Sequence, residues 1–202
     1  MTRTSKFAAA VGVSDHAGWA VLVTVARGGT LLDRRRIELL DSGLPAMPHH
    51  HPAKGLSLDE AVAVVGLVRE SAQRRAHACL NALAGEVPVE IAAMALRICP
   101  PLPEAVAERI TNYRASNAAD WAMYRAALAN AAEARGWFVH WYDAKRVIAE
   151  AADALPNRNL NDLIRKTGAA LGPPWQKDQR MAMAAAIAAQ AVKGSARSNV
   201  TA

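Results

Sequence analysis

The sequence predicts an α/β domain built on a mixed five-stranded sheet, three antiparallel strands followed by two parallel ones, flanked by helices. Three observations lead there. Short β-branched runs open the chain, separated by a few small or polar residues. Two later runs, VEIAAMALRI and FVHW, are apolar on both alternating faces, as in buried parallel strands. Long alanine-rich helical stretches lie between and after those two runs, which is the connection a parallel pair requires.

The elements follow in order. Phe7 to Val13 and Gly18 to Ala26 read as two antiparallel strands joined by a tight connection through Ser14, Asp15 and His16. Gly28-Gly29 turns the chain into a third strand, Leu31 to Leu40, whose charged residues suit a sheet edge. Three prolines and three adjacent histidines make 41–57 an extended connection. Ser57 and Glu60 then form a capping box, opening a helix whose stripe Ala61, Val64, Val65, Val68, Ala72, Ala76, Cys79, Leu80, Leu83 runs until Gly85. After the fourth strand come a short helix begun by Pro103, a helix from about Asn117 to Arg135 and the fifth strand. Asp143 is placed to cap a helix running to Leu155. Leu160 to Leu171 forms another helix, and Pro173 to Val192 the last. Trp121, Trp137 and Trp141 follow helix and strand spacing as core residues.

The 202 residues suffice for one sizeable core, and no compositional break divides them, so 7–192 is expected to be a single domain between a flexible 1–6 and a disordered 193–202. Basic residues outnumber acidic ones 24 to 18, giving a net charge of +6. Most are arginine, whose planar fork suits phosphate. Cys79 and Cys99 form no C-x-x-C pair, which argues against a disulfide framework and fits a reducing cytoplasm. No apolar run approaches the about 18 residues of a membrane span, and the polar Ser14-Asp15-His16 breaks up any signal peptide. Phosphate loops, dinucleotide fingerprints, nucleophile elbows and H-E-x-x-H pairs are missing from the sequence.

Several segments resemble the ribonuclease H-like superfamily, in particular the Holliday-junction resolvases of the RuvC type. GVSDHAGWAV sits where that family's first strand ends in a catalytic Asp before a Gly-aromatic opening. VEIAAMALRI is similar to the strand that carries a catalytic Glu, and ALGPPWQKDQRMAMAAAIAA to the closing helix with its acids. The resemblance spans about 7–192 and implies the fold above, a nucleic-acid partner, a homodimer and Mg²⁺ or Mn²⁺. Two such metals about 4 Å apart activate water and steady the leaving oxygen of a phosphodiester. It carries catalytic roles onto Asp15 and Asp178 and metal ligation onto Asp15, Asp178 and His16. The acid set is degenerate. Alignment on the glycine puts Ser14 in the first acid position, so Asp15 serves only if a one-residue bulge redirects it. The Glu position falls on Ala92, Ala93 or Met94, and the second closing acid on Met181.

Each candidate also has a plain structural reading. Asp15 and His16 are ordinary turn residues, and Asp178 near a helix start complements the macrodipole. His49 and His51, facing alike on an extended segment, are either accessory ligands for a metal such as Zn²⁺ or Mn²⁺ or part of a solvated loop. Arg34, Arg36, Lys177 and Arg180 suit phosphate, and Trp175 a base, unless they form a solvated face and a core tryptophan. Asp120 either reaches a site from the crossover helix or caps its first turn. The functions in play are a nucleic-acid-associated, metal-dependent phosphodiesterase, an inactive nucleic-acid- or protein-binding module of the same fold, and, less well supported, half of a sugar-kinase or actin-like ATPase.

Overall fold

The computed structural model describes residues 8–50 and 55–198, with side chains to residue 191. His51 and the expected flexible start at 1–6 lie outside the described residues. Strands β1 (Ala9–His16), β2 (Trp19–Ala26), β3 (Thr30–Glu38), β4 (Ile91–Arg97) and β5 (Phe138–Tyr142) form one sheet in the order β3-β2-β1-β4-β5. The first three are antiparallel, and β4 and β5 are parallel to β1. This is the mixed five-stranded sheet that the sequence predicts, three antiparallel strands followed by two parallel ones.

The opening hairpin is tighter than expected. Strand β1 continues through Ser14 and Asp15 to His16, which pairs with Trp19. Only Ala17 and Gly18 are left for the turn, and Gly18 takes a positive φ of 84° that a side chain would oppose. Ser14, Asp15 and His16 therefore alternate across a strand, and that decides where each one points.

Alternation sorts two cores. Val11 and Val13 of β1, with Met94 and Leu96 of β4, face helices α1 (Leu58–Glu86) and α3 (Tyr113–Glu133), where Leu80, Leu83, Tyr124 and Leu128 are fully buried. The short α2 (Val106–Thr111) precedes α3. Ala10, Ala93 and Ala95 face the other way. They meet α4 (Val147–Asp153), α5 (Leu160–Leu171) and the alanine run of α6 (Lys177–Ser198). A Cβ built on Gly12 would lie 1.8 Å from the Ala182 carbonyl oxygen, so α6 and β1 touch backbone to backbone.

Several boundaries shift for local reasons. The capping box at Ser57 and Glu60 forms as expected, and the predicted stripe of α1 is buried except at Val64 and Cys79, which are partly buried. Helix α3 starts at Tyr113 because Asn112, not Asn117, accepts from the N–H groups of Arg114 and Ala115. That start moves Asp120 out of the first turn. The Asp143 carboxylate accepts from the Lys145 N–H in a turn ahead of α4, which ends at Asp153. Helix α6 begins at Lys177 and runs beyond Val192 to Ser198. Trp137 is buried, but Trp141 is 42% exposed, because β5 is an edge strand with a neighbour on one side only.

Candidate functional site

The carboxyl ends of β1 and β4 lie side by side, the usual location of a ligand crevice in an open α/β sheet. On the α6 face, Ser14 Oγ donates to Asp178 Oδ1 at 3.0 Å, and His16 Nε2 lies 3.1 Å from Asp178 Oδ2. Asp178 sits in the first turn of α6, where its charge also complements the helix dipole. The imidazole of His16 stacks on Trp19 with ring centroids 3.9 Å apart and planes 4° from parallel. The Arg36 guanidinium lies 3.9 Å from the Trp19 centroid, a cation–π contact, while its Nε donates to Glu38 at 2.8 Å. Register explains the ladder: Trp19 pairs with His16 on one side and with Glu38 on the other, and Arg36 stands two residues before Glu38 on the same face.

Asp15 points the opposite way. Its Oδ2 accepts from Arg125 Nε at 2.8 Å, and the two side chains are only 3% and 8% exposed. Arg125 also donates from Nη1 to the Ile98 carbonyl and to Cys99 Sγ. Burial works against the Arg125 charge, but the Asp15 carboxylate and Cys99 more than offset it, so the guanidinium holds its proton more tightly than usual. Tyr142 donates its O–H to the Val13 carbonyl at 2.9 Å. Burial, with the Asp15 charge adding and Arg125 and Arg97 opposing, leaves that phenol pushed up to about 12.

The expectation that Asp15 and Asp178 share a metal pocket is thus corrected. No bulge interrupts β1 between Ala10 and His16 in its pairing with β2, so Ser14 occupies the face that holds Asp178 and Asp15 the face that holds Arg125. Ala93 and Met94 pair with Ala10 and Val11, deep in the sheet, and Ala92 is also buried. Asp178 is left with a hydroxyl and an imidazole, which does not match the oxygen-rich, multi-carboxylate cradle that Mg²⁺ or Mn²⁺ requires. Among the described residues, no three His, Cys, Asp or Glu side chains converge as a metal site.

The remaining candidates divide. Trp175 is taken up by packing: its Nε1 donates to the Ile164 carbonyl, and its ring lies against Gly168, where a Cβ would meet Cδ1 at 2.1 Å. Arg34 clamps the segment before α6, donating from Nη1 to the Gly172 and Pro174 carbonyls. Lys177 and Arg180 are exposed, with Arg180 Nε donating to the Gln176 carbonyl of its own turn.

His49 is neither a solvated loop residue nor set among metal ligands. It is 2% exposed, and Asp120 Oδ1 accepts from both its backbone N–H and its Nδ1, at 3.0 and 2.8 Å, while Oδ2 accepts from the His50 N–H at 3.2 Å. Asp120 thereby pins the 41–57 connection onto α3. Replacing Asp120 by Ala leaves those buried donors unmatched and is expected to cost about 3 kcal/mol. Urea unfolding measures that loss, and hydrogen exchange should show the His49 and His50 amides among the first released.

The sequence reading missed Arg125, Arg97 and the stacking role of Trp19. A signal did exist for the first: Asp120 and Arg125 are charged residues among the buried positions of an alanine-rich helix, and such residues need a partner from elsewhere in the fold.

Scanned against family models the chain matches none, and a search of curated proteins finds no match. Among solved structures it is similar to the T. thermophilus RuvC in complex with Holliday junction substrate, at 14% identity over 90% of this chain and 91% of that one, with a TM-score of 0.48. It is similar also to a Thermus thermophilus RuvC structure, at 14% identity over 89% and 91%, with a TM-score of 0.46. Among the described residues no helix is long and apolar enough to cross a membrane.

Proposed function

We propose that this protein binds nucleic acid through the carboxyl end of its central strands without a divalent metal, as a non-catalytic module of the ribonuclease H-like fold. The observation that carries the reading is that both acids are already engaged by the chain's own groups. Asp15 is matched by Arg125 on one face, and Asp178 by Ser14 and His16 on the other. Among the described residues neither acid belongs to a group of three or more potential metal ligands. The net charge of +6 and the exposed Arg36, Lys177 and Arg180 support a polyanionic partner.

Fluorescence anisotropy with labelled single-stranded, duplex and four-way-junction DNA, in Mg²⁺ and in EDTA, tests the reading. The affinity should be the same in both buffers and fall with salt, with a log–log slope of about −0.9 per duplex phosphate contacted. The DNA should stay intact. Binding that needs Mg²⁺, or cleavage lost in Asp178→Ala, would restore the metal-dependent phosphodiesterase. Affinity flat in salt would point to a protein partner.

A further inference from the structure

At the carboxyl end of β4 stands a residue that neither the sheet nor the helices use. Arg97 is the last residue of β4 and is exposed. Ala95 pairs with Gly12, and Arg97 lies two residues further along, on the α6 face at the level of Ser14. Across the other edge it pairs with Tyr142, whose hydroxyl lies within the field of the guanidinium. So Arg97 stands on the same face of the sheet as Ser14 and His16, at the end of the neighbouring strand.

Other arginines of the sheet and of α3 are matched within the chain. Arg125 has Asp15, Arg35 has Asp33 and Glu86, and Arg36 has Glu38. The Arg97 guanidinium makes no hydrogen bond or ion pair with any described residue. An exposed cation left unmatched among the described residues, on a strand end rather than a loop, is set to meet an anion from outside.

We infer that Arg97 binds a backbone phosphate directly, presenting its planar N–H fork to two non-bridging oxygens at the place where a metal-dependent relative would present a cation held by acids. This rests on the nucleic-acid reading above and adds the group and the atom that meet the ligand. The geometry suits a phosphodiester: the fork matches its two free oxygens, and a charge-assisted pair is about twice as strong as a neutral one. Both oxygens of Asp178 are hydrogen-bonded to Ser14 and His16, so this carboxylate is not paired with Arg97.

The test compares Arg97→Ala and Arg97→Lys with Arg69→Ala, an exposed arginine of α1 that serves as control, using a labelled single-stranded oligonucleotide in a salt series. Arg97→Ala should weaken binding about tenfold and reduce the salt slope by about one contact. Arg97→Lys, which keeps the charge but not the fork, should fall between, and Arg69→Ala should match the wild type. If the wild type binds and Arg97→Ala binds equally well, the inference fails while the nucleic-acid reading stands. If the wild type binds no nucleic acid, that reading fails, and titration with inorganic pyrophosphate followed by the backbone amide resonances of Ser14 and Tyr142, present in both proteins, decides the inference separately. A saturable shift, absent from Arg97→Ala, supports a phosphate site; no shift overturns it.

Discussion

Arg125→Met is expected to lower stability by about 3–5 kcal/mol, because it leaves the Asp15 carboxylate buried without a counter-charge. Urea denaturation with unchanged slope and a lower midpoint measures this. The size of the effect comes from the asymmetry of buried pairs: together the charges roughly break even with an apolar pair, whereas one alone keeps its full desolvation cost. Asp15→Val combined with Arg125→Met should therefore recover most of the loss, and the double-mutant cycle gives the coupling. An unchanged midpoint in Arg125→Met would mean that Asp15 is not held as described, and the assignment of faces at the end of β1 would fall with it.

Gly12→Val should abolish folding, or cost more than about 4 kcal/mol if any native protein remains. The new Cβ would stand 1.8 Å from the Ala182 carbonyl oxygen and 2.6 Å from the Ala186 nitrogen, both backbone atoms of α6. Overpacking against side chains costs about 1–3 kcal/mol because they can repack, but a helix backbone moves only as a whole. Such a movement would also separate Ser14 from Asp178. Gly66→Ala is the control: Gly66 lies within α1 with nothing within 4 Å of an added Cβ, and alanine there should raise stability by about 0.5–1 kcal/mol. Circular dichroism and thermal melts of the two variants should diverge in opposite directions from the wild type.

The parts of this architecture legible in the sequence are those set by local pattern. The α1 stripe, its capping box, the two doubly apolar strands and helix α5 all depend on residues within a few turns of one another, and each forms where the pattern places it. Alignment on the glycine placed Ser14, not Asp15, in the first acid position, and it is Ser14 that donates to Asp178 of the closing helix. What stayed hidden depends on partners far along the chain. Arg125 reaches Asp15 across 110 positions, and Asp120 holds His49 across 71, distances over which sequence periodicity carries no information. Asp120 was further obscured by the helix start: with the cap read at Asn117 it resembles first-turn decoration, and with the cap at Asn112 it becomes a buried charge that needs partners. Trp175 illustrates a third limit. Its neighbours Lys177 and Arg180 suggest a nucleic-acid stack, whereas Gly168, on the preceding helix, provides the slot that the indole fills.

These corrections share one physical consequence. With Asp15 on the α3 face, the strand ends on the α6 face hold Asp178, hydrogen-bonded to Ser14 and His16, and the exposed Arg97 at the end of β4, with no group of three metal-ligating side chains among the described residues. Charge of that sign and arrangement favours an anion over a divalent cation.

Titration of the purified protein with Mn²⁺, followed by isothermal calorimetry and by paramagnetic broadening of the Ser14, His16 and Asp178 amide resonances, tests this most directly. The account predicts no saturable heat and no broadening centred on those residues. Saturable Mn²⁺ binding that broadens both Asp15 and Asp178 and is lost on replacing either one would contradict it.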